Sequence, residues 1–275
     1  MELQEALEYC LQTQWKGTAG EVTAQANADC AVAFFGGSIK LEAITTQKVA
    51  AYVQELSRAG NSPATCNRKL SALSKVLRVA FDSGHLKTWS HFHFYKKEPR
   101  GRSRWLTYQE QADVVAVLRS RGMGDHADAV EVLAATGLRT SELWRVKLAD
   151  ISGGDLLIPI TKSGRPRMIP LSARAREIVI SRRVDEDGHV FPFDNAWINY
   201  GWRTARRVLN MAHDKEFVVH SLRHTCASRL VQADVPLFTV QQWLGHSSPV
   251  TANRYAHLST QTLRAALNKL EDSHR

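Results

Sequence analysis

HSLRHTCASRL, residues 220–230, is the stretch on which the fold turns. With Ser221 opening a helix, Leu222, Cys226 and Leu230 fall at i, i+4 and i+8 along one side. His220, Arg223 and His224 then crowd the first turn, where backbone N–H groups favour an anion. Two histidines and an arginine there make a poor core and a good phosphate cradle; the competing reading is an ordinary structural helix start. His220 and His224 also have metal-ligand spacing, but no HExxH glutamate accompanies them and Arg223 between them repels a cation. No metal is expected.

Downstream lies LGHSSPVTANRYAHL, residues 244–258. One helix stops at Gly245 and another starts at Ser248-Pro249. His246 and Tyr255 stand nine residues apart in a segment of little apolar periodicity, so neither is expected to serve a core. Upstream, TGLRTSEL (136–143) puts Arg139 just past a helix end at Gly137, with Glu142 three residues on. Taken alone, that pair is explained by a surface salt bridge. Between them come three short, β-branched-rich runs, VKLADI (146–151), DLLIPI (155–160) and RMIPL (167–171). The last two flank TKSGRP, whose Ser163-Gly164 suits a tight hairpin turn with Lys162 at its tip.

Further out, the first hundred residues read as helices. Val49, Val53 and Leu56 follow Thr46 at helical spacing up to Gly60. Ser62-Pro63 opens the next helix as N-cap and N1. There Leu70, Leu73, Val76, Leu77, Ala80 and Phe81 form an apolar stripe, with Arg68, Lys69, Lys75 and Arg78 on other faces, as suits a helix along a phosphate backbone. WSHFHFYKKEPRGRSR (89–104) breaks every periodicity and carries Lys96, Lys97, Arg100, Arg102 and Arg104. Its aromatics are better explained by docking on a domain surface than by base stacking. Thr107 to Glu110 is a capping box that opens a new helix. The expected organisation is a helical domain over 1–88, a basic linker over 89–104 and a second domain over 105–275. That second domain is mainly α with a small antiparallel β-sheet and a C-terminal tail helix.

Charge is concentrated in the same place. Residues 61–104 hold 10 Lys/Arg against 2 Asp/Glu, which is +8 of a net +9 over 275 residues. A band that basic repels itself unless a polyanion is near, so these side chains are candidate DNA contacts; a solvated basic linker is the alternative. No apolar run approaches the length of a membrane span. Four scattered cysteines without a CxxC pair fit neither a zinc site nor a disulfide framework, and fit a reducing cytosol. Neither a GxxxxGK[ST] loop nor a GxSxG elbow occurs.

The remaining inventory is two arginines, a lysine, several histidines and a tyrosine, with no carboxylate cluster for Mg²⁺. That set suits phosphoryl transfer without a metal. Arginines neutralise a pentacoordinate phosphorus, a lysine or histidine protonates the leaving oxygen, and Tyr255 is the candidate nucleophile.

In order and spacing, TGLRTSEL, TKSGRPRMIPL, HSLRHTCASRL and LGHSSPVTANRYAHL resemble the signature of the tyrosine recombinases, particularly phage-type integrases. The first domain is similar to their core-binding domain. The resemblance implies that Arg139 and Arg223 bind the scissile phosphate and that Lys162 is general acid toward the 5′-oxygen. It further implies that His220 and His246 assist proton transfer and phosphate binding, that Glu142 and His224 support the site, and that Tyr255 forms a 3′-phosphotyrosyl link. It also implies a homotetramer on two DNA duplexes, a Holliday junction, no cofactor, accessory DNA-bending or directionality proteins, and a cytoplasmic place on DNA. No arm-binding domain like the one many phage integrases carry is evident before the first domain, which puts arm-site binding in doubt and leaves a simple recombinase, a resolvase-like enzyme and a truncated integrase as alternatives. The tail stripe of Leu263, Ala266, Leu267 and Leu270 is expected to dock on a neighbouring protomer rather than fold back. A type IB topoisomerase, a DNA-binding protein with a dead site and a metal-dependent nuclease are the rival readings.

Overall fold

Ser62 and Pro63 do what local chemistry requires of them: the Ser62 hydroxyl accepts from Thr65 N, and Pro63 occupies the first helical turn of a 20-residue helix. In the computed structural model that describes residues 1–89, 94–98, 104–159, 166–245 and 255–256, this is the fourth α-helix. The helices before it are α1 (Leu3–Cys10), α2 (Glu21–Phe35) and α3 (Thr46–Arg58), and α4 spans Pro63–Asp82. The chain divides into two compact units, Met1–Gly101 and Arg102–Arg275.

In the first unit, α1, α2 and α3 pack on α4. Cys66, Leu70, Leu73, Val76, Leu77 and Ala80 form its buried face. Phe81, expected on the same stripe, is 39% exposed and leans on Trp89 instead, because it lies beyond the arc that the neighbouring helices cover. Residues 94–98 of the linker dock on this unit. Asn67 donates to the Lys96 carbonyl at 2.9 Å and to Glu98 at 2.8 Å, and Lys96 N donates back to Asn67 Oδ1 at 2.8 Å. Trp89 and Phe94 pack against the core, as docking rather than stacking requires.

In the second unit, Thr107 and Glu110 close a reciprocal capping box at the start of α5 (Tyr108–Ser120). There follow α6 (Gly124–Thr136), the one-turn α7 (Thr140–Leu143), β1 (Ile151–Ser152), β2 (Asp155–Ile158) and β3 (Arg167–Pro170). After these come α8 (Ala173–Ser181), α9 (Asn195–Val208), α10 (Ser221–Gln232) and α11 (Leu237–Leu244). The strands form an antiparallel sheet in the order β1-β2-β3, with Leu156 opposite Ile169 and Ile158 opposite Arg167. VKLADI is mostly not strand: Leu148–Asp150 form a 3₁₀ turn closed by Asp150 on Lys147 N, and only Ile151 of that run enters β1. Eight residues, 159–166, separate the last strand pair, and the expected turn at Ser163-Gly164 lies outside the described residues.

Residues Ser221–Ser228 of α10 are buried on every side. This helix runs through the second unit against α6 and α11, which lets it carry polar side chains to an interior site.

Candidate active site

The site is assembled where α6, α7, β3, α10 and α11 end or begin. Gly137 ends α6 in the left-handed conformation at φ +66°. A Cβ there would sit 2.7 Å from Leu244 Cδ2 and 3.1 Å from Cys226 Sγ, so only glycine permits both the turn and the close approach. Gly245 ends α11 in the same way, at φ +65°.

Those two helix ends hold Arg223. Its side chain is 4% exposed, and it donates to the Gly137 carbonyl at 2.6 Å and the Leu244 carbonyl at 2.5 Å. Carbonyls at a helix C-terminus lack intrahelical partners and carry partial negative charge, so two of them suit a buried cation. Burial, and then repulsion from Arg139, pushes the Arg223 guanidinium down to about 10, and it stays charged at neutral pH. Burial pushes the neighbouring Cys226 thiol up to about 12, which leaves it without a nucleophilic form.

Glu142, 6% exposed at its side chain, is the counter-charge. One carboxylate oxygen accepts from Arg139 Nη1 at 2.8 Å and Arg167 Nη1 at 3.1 Å. The other accepts from Arg139 N at 2.9 Å and Arg167 Nη2 at 2.8 Å. Burial works to raise this carboxyl. The bonds from Arg167 and the Arg139 amide, with the attraction of both guanidiniums, outweigh burial and hold it at about 2. Arg139 remains 26% exposed at its side chain, so it reaches the open side of the site.

On α10, His220 is exposed at the N-cap while His224 is buried, and their rings meet edge to face at 5.1 Å. His224 Nδ1 and the Tyr255 hydroxyl are 2.5 Å apart. Tyr255 was expected outside any core. It is instead only 2% exposed and packs with Ala227, Val231, Val240 and Leu244, because α10 and α11 leave a small apolar slot that its ring fills. Its hydroxyl is thereby set against His224, within electrostatic reach of Arg223.

Arg139, Glu142, His220, Arg223, His224 and Tyr255 are thus brought together. Lys162, His246, Arg100, Arg102, the helix start at Ser248-Pro249 and the tail 261–275 lie outside the described residues. Among the candidate DNA contacts, Arg68, Arg78 and Lys97 are exposed, while Lys69 and Lys96 are half-buried. Lys75 is half-buried and reaches Gln14 at 2.9 Å, and Arg78 pairs with Asp82 at 3.5 Å. Arg104 does not present its charge to solvent. It forms ion pairs with Glu110 and Asp214 and lies over the Phe217 ring, because the acids that meet it come from 6 and 110 residues away in sequence.

Sequence reasoning missed Arg167. Alternation along β3 puts it on the inward face with buried Ile169, and an arginine on an inward face is the signal that could have found it. For a metal, Asp185, Asp187 and His189 bring ligand atoms within 4.8 Å of one another, but Asp185 is already engaged by the amides of Asp187 and His189 and by the His189 ring. No described helix is long and apolar enough to cross a membrane.

The chain is similar to known proteins over both of its units. Residues 104–262 match the model of the phage integrase family, and residues 32–84 match the phage integrase N-terminal SAM-like domain. Transposase B from transposon Tn554 of Staphylococcus aureus is 26% identical over 268 residues, covering 85% of this chain and 41% of that protein. The chain therefore spans about two fifths of that relative's length. Tyrosine recombinase XerC of Corynebacterium glutamicum is 29% identical over 225 residues, covering 76% of this chain and 73% of that one. In fold, the chain is similar to the Tn1549 transposon integrase solved in complex with transposon right end DNA, with a TM-score of 0.80 at 16% identity over 100% of both chains.

Proposed function

The chain belongs to the phage integrase family, and from that membership we propose that it is a tyrosine-type site-specific recombinase. It cuts and rejoins double-stranded DNA through a covalent 3′-phosphotyrosyl intermediate and a Holliday junction. The observation that carries the reading is the Tyr255 hydroxyl held on His224, within electrostatic reach of the buried Arg223 guanidinium.

The chemistry follows from charge and position. Arg139 and Arg223 grip the non-bridging oxygens of the scissile phosphate and stabilise the extra negative charge of the phosphorane. The Tyr255 oxygen attacks phosphorus, the bond from phosphorus to the 5′-oxygen breaks, and the phenolic proton leaves through the His220–His224 pair. Lys162 donates a proton to the departing 5′-oxygen, and His246 completes the phosphate cradle. Attack by a 5′-hydroxyl on the phosphotyrosine reverses the step, so the bond energy is conserved without ATP, and no metal is assigned a role. Arg68, Lys75, Arg78, Lys97, Arg100 and Arg102 hold the DNA backbone from the first unit and the linker. A homotetramer on two sites performs the exchange, with accessory DNA-bending or directionality proteins as further partners.

A library of nicked suicide duplexes tests this reading. Covalently bound DNA recovered after denaturation identifies both the chemistry and the target site, and recovery of none refutes it.

A further inference from the structure

Arg167 sits behind the phosphate-binding arginines rather than among them. Its side chain is 8% exposed, and each of its nitrogens has an acceptor: Nε donates to the Trp243 carbonyl at 3.0 Å, and Nη1 and Nη2 fork onto the two oxygens of Glu142. A Cβ on Gly245 would lie 2.9 Å from Arg167 Nη1, so the turn that ends α11 closes directly over the guanidinium. The salt bridge from Arg167 to Glu142 is 2.8 Å, whereas Arg223 stands 4.0 Å from the same carboxylate.

A buried cation is costly to desolvate, and each nitrogen of this one is spent on an acceptor of the protein itself, so its presence needs a reason. The charges supply it. Glu142 fixes Arg139 by holding both its amide and its guanidinium, but its negative charge opposes that of the arginines it positions. Arg139, Arg223 and Glu142 alone amount to a single positive charge. With Arg167 the cluster carries two, which matches the doubly negative phosphorane formed during attack. Arg and not Lys fits the task, because a planar fork satisfies both carboxylate oxygens at once.

We infer that Arg167 is a positioning residue for strand cleavage: it offsets the Glu142 carboxylate from behind, so that Arg139 and Arg223 keep their charge for the scissile phosphate. The inference rests on the recombinase reading given above.

The experiment measures single-turnover cleavage of a nicked suicide duplex by the full chain. It compares wild type, Arg167→Met, Arg167→Lys and the double variant Glu142→Gln/Arg167→Met. Cleavage by Arg167→Met should slow by about 100-fold, the scale on which a preorganised electrostatic contact acts. Its DNA affinity should stay within about threefold of wild type, because binding is carried mainly by other phosphate contacts. The double variant removes both members of the pair, restores the net charge facing the phosphate, and should recover at least about tenfold over the single. Arg167→Lys, which keeps the charge without the fork, should fall between wild type and Arg167→Met.

Wild-type rates in Arg167→Met, a double variant no faster than the single, or a loss of DNA affinity as large as the loss of cleavage rate would overturn the inference. If Arg167→Met gives no cooperative thermal transition, the double variant decides alone: cleavage within about tenfold of wild type supports the inference, and slower cleavage overturns it. A wild-type protein that forms no adduct with any duplex defeats the recombinase reading itself, a result distinct from an active wild type with indifferent variants.

Discussion

Replacing Glu142 by glutamine changes one oxygen to an amide, yet the structure makes it a severe perturbation. The carboxylate accepts four hydrogen bonds, two from Arg139 and two from Arg167, and is nearly excluded from water. A glutamine offers one acceptor oxygen and turns an NH₂ donor toward two of those donors. It also leaves Arg167 buried without a counter-charge, a loss of about 3–5 kcal/mol for a broken buried pair. Acid titration supplies an independent estimate. The Glu142 carboxyl is held at about 2 against an ordinary 4.5. At 1.36 kcal/mol per pH unit, that difference is worth roughly 3 kcal/mol. Because the folded-state value is depressed, this stabilisation is fully present above pH 4.5 and is lost as the pH falls toward 2. Urea unfolding followed by tryptophan fluorescence should therefore give a Glu142→Gln protein less stable by about 3–5 kcal/mol at pH 7. Its loss of stability between pH 5 and pH 2 should be shallower than that of wild type. Equal stability at pH 7, together with an unchanged acid slope, would refute the claim that Glu142 is the buried counter-charge of the site.

Other outcomes follow from the same geometry. Lys162→Ala should cleave slowly but regain much of its rate on a substrate with a 5′-bridging sulfur, whose departure needs no proton, whereas Arg223→Ala should not; equal rescue of both contradicts the division of labour. Gly137→Ala strains a positive φ and drives a methyl group into Leu244, so its melting point should fall by the equivalent of about 1–3 kcal/mol, and an unchanged melting point argues against the close approach. Deleting residues 261–275 should leave single-site DNA binding intact and abolish cooperative pairing of sites and strand exchange. Normal recombination by the truncated protein rules out trans docking of the tail.

Much of this was legible in the sequence where local chemistry dictates structure. Ser62-Pro63, the Thr107–Glu110 box, and Gly137 and Gly245 each act within a few residues of themselves, and each ends or starts a helix as read. His220 and Arg223 were legible because a helix start has no packing use for them, and Arg139 and Glu142 only through their place in order beside the other motifs. What escaped depends on contacts between distant segments. Tyr255 meets His224 across 31 residues, and the slot that buries its ring exists only once α10 and α11 are packed. Arg104 reads as one more linker cation until the fold brings Asp214 to it from 110 residues away. Arg167 hides inside a basic hairpin flank, and its partner Glu142 lies 25 residues upstream. Periodicity reports which face is buried; it does not report that a buried charge has found its counter-charge.

The central claim is that the Tyr255 hydroxyl is the nucleophile, and the most direct measurement is a denaturing gel of the protein after incubation with its nicked suicide duplex. Wild type should run as a covalent protein–DNA adduct. Tyr255→Phe keeps the ring that fills the slot between α10 and α11 and loses only the oxygen, so it should fold, bind the same DNA and give no adduct. An adduct at the wild-type level in Tyr255→Phe would contradict the account.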